Sequence, residues 1–195
     1  MSWPDVDAVV IGGSAGGLEA LVAIVAALPA DFPAAVLIVL HRGQREDDGV
    51  TLAALLARHC ALPLDDAWDH QPVHAGEVVL APAGYHLLVD CGPVLALSVD
   101  EPVLWSRPAI DPLFESAADC WGARLLAIVL TGASEDGSAG ALAVRRAGGE
   151  VWVQDPAEAA VALMPQAALE RAGADRVLSL ARICAALEAV KIAPS

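Results

Sequence analysis

The stretch Ile11-Gly12-Gly13-Ser14-Ala15-Gly16-Gly17 follows directly on the apolar run Ala8-Val9-Val10 and leads into a second apolar segment, Leu18 to Leu28. A buried strand that runs through a glycine-rich turn into a helix commits the chain to α/β architecture. Ser14 stands at the apex with Gly12 and Gly16 two residues to either side, the G-x-S-x-G spacing of a nucleophile elbow. Glycine at the flanks predicts a tight, strained turn in which a Cβ would crowd the serine and the helix. The helix start leaves backbone N–H groups free to hold an oxyanion. A plainer reading of the same turn is a phosphate-binding loop, or a simple reversal of the chain. A dinucleotide fingerprint is disfavoured, because Ser14 occupies a position that motif gives to glycine and the next strand ends in His41 rather than an acid.

Ala8–Ile11, Ala35–Leu40, Leu125–Leu130 and Val151–Gln154 are apolar runs of strand length. Leu18–Leu28, Thr51–His59, Asp111–Trp121, Gly140–Ala147 and Leu180–Val190 suit helices. Continuous apolar strands separated by helices predict a mainly parallel sheet with helices on both faces. Between them, Glu77–Leu80, His86–Val89 and Val94–Val99 are short strand-like pieces bounded by Gly and Pro, read as an antiparallel hairpin appended to that sheet. No repeat or linker interrupts the 195 residues, so a single domain, 1–195, is expected.

Composition narrows the function. With 56% hydrophobic and 18% charged residues, the chain can bury a substantial core. No apolar run reaches the ~18–20 residues of a membrane span, and the N-terminus shows no signal segment, so a cytoplasmic protein without membrane insertion is expected. A net charge of −14 argues against a nucleic-acid partner. His41-Arg42-Gly43-Gln44-Arg45 is a small basic island, read as a solvated loop or a neighbour for an anionic substrate. Cys60, Cys91, Cys120 and Cys184 form no C-x-x-C pair and read as buried thiols rather than metal ligands or disulfides.

Chemistry in an open parallel sheet gathers beyond the carboxyl ends of its strands. Ser14 follows the first strand, His41 the second, and Asp136 lies in L-T-G-A-S-E-D-G after L-L-A-I-V-L. Serine needs a base, histidine can take and return its proton, and a carboxylate can fix the imidazole tautomer. Singly, His41 also suits a structural hydrogen bond and Asp136 a turn or helix cap. The order Ser…His…Asp differs from that of α/β-hydrolases and points to another fold family. Weaker candidates are His70 and His74, separated by Pro72; His59, late in a helix; His86, read as structural; and Asp111, read as capping a helix that begins at Pro112.

Taken together, I-G-G-S-A-G-G at 11–17, V-L-H at 39–41, A-P-A-G-Y-H at 81–86, S-R-P-A-I-D-P-L-F-E-S-A-A at 106–118, L-T-G-A-S-E-D-G at 130–137, G-G-E-V-W-V-Q-D at 148–155 and M-P-Q-A-A at 164–168 resemble the catalytic domain of the chemotaxis methylesterase family, CheB. The resemblance covers nearly the whole chain. It implies Ser14 as nucleophile, His41 as base and Asp136 as orienting carboxylate. It also implies hydrolysis of γ-glutamyl methyl esters on the cytoplasmic helices of chemoreceptor-like proteins, glutamine deamidation as a second reaction, and neither metal nor organic cofactor. Ala15 stands where the family commonly has threonine, and Ala133 and Ser134 where it commonly has methionine and glycine. The family's usual receiver domain is not found in these residues, which implies a stand-alone member without a built-in phosphorylation switch, regulated if at all by a separate protein. A hydrolase of another ester or amide, or a non-enzymatic module binding a receptor or signalling partner, are the alternatives.

Overall fold

The computed structural model describes residues 6–41, 51–90 and 92–190. Its centre is built from the apolar runs: β1 (Ala8–Gly13), β2 (Ala35–Leu40) and, later in the chain, Leu125–Val129 and Glu150–Gln154, every residue of which is buried. Strands of this kind need cover on two faces, and side chains alternate between them. Val9 and Ile11 of β1, with Val36 and Ile38 of β2, enter one core; Ala8, Val10, Leu37 and Val39 enter the other.

The elements run β1, α1 (Gly17–Ala27), β2, α2 (Leu52–Ala57), β3 (Leu64–Asp66), β4 (Val78–Leu80), β5 (His86–Asp90), β6 (Val94–Ser98), α3 (Ile110–Trp121), β7 (Leu125–Val129), α4 (Ser138–Arg146), β8 (Glu150–Gln154), α5 (Leu163–Arg171), β9 (Arg176–Leu178) and α6 (Leu180–Glu188). Seven strands form a parallel sheet in the order β3-β4-β2-β1-β7-β8-β9. Helices α1, α2 and α6 pack on one face and α3, α4 and α5 on the other. The expected α/β class, with helices on both faces of a mainly parallel sheet, is what the chain adopts.

Three details differ from the sequence reading. The piece expected over Glu77–Leu80 is β4, a parallel strand between β2 and β3, and not part of the hairpin. The antiparallel pair is β5–β6 alone, a separate two-stranded sheet laid against α3. The edge strands β3 and β9 and the helix α5 were not expected. Leu64-Asp65-Asp66 and Arg176-Val177-Leu178 are short and half-exposed, so they carry no apolar run. Pro165 falls in the first turn of α5, where its missing N–H costs little, although it masks the helix in the sequence.

Cys60, Cys120 and Cys184 are half-buried, while Cys91 lies outside the described residues, as do Arg42–Arg45 of the basic island. Among the described residues no helix is long and apolar enough to cross a membrane.

The chain leaves β1 toward β2 on one side and returns as β7 on the other, so strand order reverses at β1. Crevices open at such a switch point, beyond the carboxyl ends of the strands. Ser14, His41 and Asp136 follow β1, β2 and β7, respectively.

Candidate active site

Backbone hydrogen bonds tie these strand ends together. Ser14 N–H donates to Thr131 O (3.0 Å), His41 N–H to Gly13 O (3.0 Å) and Gly17 N–H to Ser14 O (2.7 Å). The left-handed conformation in the turn belongs to Gly16, at φ 76°, and not to the serine, so the turn lacks the strain expected at its apex. The glycines meet other neighbours than the sequence suggested. A Cβ at Gly12 would stand 2.5 Å from Ile110 Cγ2, and one at Gly16 would stand 2.6 Å from Ala160 Cβ. Gly12 therefore admits the start of α3, which holds the buried carboxylate.

That carboxylate is Asp136, with 0% of its surface exposed. Oδ2 accepts from His41 Nε2 (2.6 Å) and from Ile110 N–H (2.6 Å); Oδ1 accepts from Asp111 N–H (3.0 Å) and Gly137 N–H (2.9 Å). Burial by itself would raise its pKa, but the His41 bond and the N–H groups of Ile110 and Asp111 outweigh burial and hold it below the ordinary carboxylate value. An ionised Asp136 can only accept, so His41 carries its proton on Nε2 and turns the basic lone pair of Nδ1 toward the cleft.

The cleft, about 710 Å³, is lined by Ser14, His41, Ser106, Arg107, Ala133, Ser134 and Glu135, with Pro102, Leu104 and Trp105 at its rim. Ser14 and His41 thus open on one space. The hydroxyl seated on Nδ1 is that of Ser106, 3.2 Å away, while Ser14 Oγ makes no hydrogen bond among the described residues. Ser106 gave no signal of its own in the sequence, where it is one letter of a longer motif. Thr131 was missed for the same reason. Its Oγ1 lies 2.9 Å from Ala15 O and accepts from Val161 N–H (2.8 Å), joining the serine turn to the segment before α5. Gln154, whose Oε1 accepts from Thr131 N–H (2.9 Å), supports it from β8.

The weaker candidates fall elsewhere. His86 is buried and structural: Nδ1 accepts from Ala109 N–H (3.2 Å) and Nε2 donates to Glu101 O (3.2 Å). Asp111 does not cap its own helix, which begins at Ile110. Its Oδ1 accepts from Gly140 N–H (2.7 Å) in the first turn of α4. Burial, opposed by the Gly140 bond and aided by repulsion from Asp136 and Glu115, pushes its pKa up to about 6. His59 lies past the end of α2, and His70 is exposed beside Asp69. Among the described residues no group of three or more His, Cys, Asp or Glu side chains could hold a metal ion.

Residues 9–187 match the family model described as CheB methylesterase. A provisionally named protein-glutamate methylesterase/protein-glutamine glutaminase of Leptospira interrogans is 39% identical over 177 residues, 91% of each chain. Protein-glutamate methylesterase/protein-glutamine glutaminase 2 of Anaeromyxobacter dehalogenans is 42% identical over 184 residues. That match takes in 93% of this chain but 52% of the relative, so the chain spans about half of that protein. The crystal structure of the Thermotoga maritima CheB methylesterase catalytic domain superposes with a TM-score of 0.86 at 34% identity, covering 94% of this chain and 97% of that one.

Proposed function

This chain belongs to the CheB methylesterase family, and on that premise we propose that it is a protein-glutamate methylesterase, with glutamine deamidation as a second reaction, working through Ser14, His41 and Asp136. The observation that carries the reading is the buried Asp136 carboxylate, saturated by four donors, one of them His41 Nε2. A histidine fixed in this way offers Nδ1 as the base, in the cleft that Ser14 lines.

In the proposed sequence Nδ1 takes the proton of Ser14 Oγ as the oxygen attacks the ester carbonyl. Gly17 N–H, the first of α1, is taken by Ser14 O; the N–H groups that follow it, of Leu18 and Glu19, have no intrahelical acceptor and would supply donors for the developing oxyanion. His41 returns the proton to the leaving methoxide, releasing methanol and an acyl-enzyme. It then draws a proton from water, which attacks the acyl carbon and frees the glutamate and Ser14. A glutamine side chain would follow the same course with ammonia as the leaving group. Asp136 stays ionised and stabilises the imidazolium.

The substrate we propose is a methylated glutamate on a helical, chemoreceptor-like protein. Incubation with chemoreceptor membranes carrying labelled methyl esters, native protein against Ser14→Ala, tests the reading through released methanol. Release at the native rate by a folded Ser14→Ala variant would refute it.

A further inference from the structure

The rim of the cleft carries a feature that the chemistry does not use. Val103 N–H donates to Ser106 O (3.1 Å) and Ser106 N–H to Val103 O (2.9 Å), closing a two-residue hairpin around Leu104 and Trp105. Both central residues have positive φ, 46° and 67°, the pattern of a type I′ turn. Such turns are ordinarily built from Asn and Gly, because a Cβ is disfavoured there, and bulky side chains most of all. Here the two positions hold a leucine and a tryptophan. Trp105 gains no burial in return: 98% of its surface is exposed, and Leu104 is 51% exposed.

The hairpin is nevertheless firmly held. Arg107 Nη1 donates to Val99 O (2.8 Å) and Asp100 O (3.0 Å), His86 Nε2 donates to Glu101 O (3.2 Å), and Ser106 Oγ reaches His41 Nδ1. These bonds fix the backbone that carries Trp105, so a large aromatic side chain with only two rotors is presented to solvent beside the cleft, the properties of a binding anchor.

We propose that Leu104 and Trp105 form a docking prong that selects a helical protein segment carrying the reactive side chain, a substrate-recognition role resting on the esterase reading above. Leu104 and Trp105 line the same cleft as Ser14, so a substrate side chain that reaches Ser14 brings its neighbouring residues to the prong. An isobutyl group and an indole face offer no partners for backbone N–H and C=O groups. They suit a segment whose backbone is satisfied internally, and a helix also presents apolar side chains three and four residues from the ester on the same face.

The test uses two methyl-ester substrates: a stable helical peptide bearing one glutamyl methyl ester, and a short unstructured peptide bearing the same group. The readout is the ratio of the two kcat/KM values. In Trp105→Ala this ratio falls at least tenfold, chiefly through KM for the helical peptide, and Trp105→Phe restores most of it. An unchanged ratio, whether both rates hold or both fall together, overturns the prong. If the wild-type protein releases methanol from neither peptide, the esterase reading fails instead. Binding of the helical peptide to Ser14→Ala, with and without Trp105→Ala, then decides the prong alone: equal affinity refutes it, and a tenfold loss supports it.

Discussion

Replacing Asp136 by asparagine changes one atom in a site where every neighbour is a donor. His41 Nε2 and Ile110 N–H face Oδ2, and Asp111 N–H and Gly137 N–H face Oδ1. The asparagine oxygen can serve only one side. If it serves Asp111 and Gly137, the amide N–H groups meet Ile110 N–H and force His41 to accept on Nε2. The imidazole proton then moves to Nδ1, and the base is lost. If the side chain flips, two buried backbone N–H groups lose their acceptor. Stability falls in either orientation by about 1–3 kcal/mol, the cost of unsatisfied buried groups, lowering Tm by roughly 3–10 °C in a domain of this size. The wrong tautomer costs about 10⁴ in kcat in the serine-protease triad, equivalent to about 5.5 kcal/mol of activation free energy, and a loss of that order is expected here. The assay is methanol release at saturating substrate, with folding checked by circular dichroism. A folded Asp136→Asn variant with kcat within tenfold of wild type would refute the tautomer reasoning, and collapse in Glu135→Gln instead would move the role to that neighbour.

Ser14→Ala and His41→Ala should each lower kcat by about 10⁴–10⁶, with the double variant little worse than either single one; additive losses would break the pairing of nucleophile and base. Ser106→Ala removes a single neutral hydrogen bond to Nδ1, so kcat should change by less than about tenfold, and a serine-reactive phosphonate should still label Ser14 alone. Asp111 has a folded pKa of about 6, above its ordinary value of 3.8, so the folded protein gains stability as pH falls through about 6 and has the full gain below about 4. Asp111→Asn should therefore raise Tm by about 2–4 °C at pH 7.5 and by nothing at pH 4, since its partly exposed charge is worth about 1 kcal/mol after screening; a gain independent of pH would contradict this. Leu104→Asn with Trp105→Gly fits the type I′ backbone and should raise Tm by about 2–8 °C, from relief of about 1–2 kcal/mol of strain; a fall in Tm would show that the two side chains support the fold.

The sheet could be read from the chain because its central strands are buried on both faces and therefore spelled as unbroken apolar runs, as in Ala35–Leu40. The edges lack that spelling: Leu64–Asp66 and Arg176–Leu178 are strands because a neighbour offers hydrogen bonds, not because their residues are apolar. The placement of Ser14, His41 and Asp136 beyond β1, β2 and β7 was legible because each follows an apolar run, and position at a strand end is a linear property. Ser106 and Thr131 act through contacts that cross 65 and 116 residues of chain, and no local pattern reports those. The turn around Leu104 and Trp105 was invisible for the opposite reason. Its residues contradict the preferences of its backbone, so propensity points away from what the chain does.

Two serine hydroxyls share the cleft with one basic nitrogen, and their backbones separate their roles. Ser106 closes a hairpin, with its N–H and C=O both bonded to Val103, and no helix starts directly after it. Ser14 likewise spends its own N–H on Thr131 O and its C=O on Gly17 N–H, but it precedes α1, whose next N–H groups, those of Leu18 and Glu19, have no intrahelical acceptor and lie near an oxyanion formed at Ser14. A hydroxyl that donates to Nδ1 without oxyanion donors nearby can hold the ring but gains nothing from attacking. In the proposed mechanism Ser106 therefore supports His41 in its orientation toward the cleft, and Nδ1 exchanges that hydroxyl for the one on Ser14.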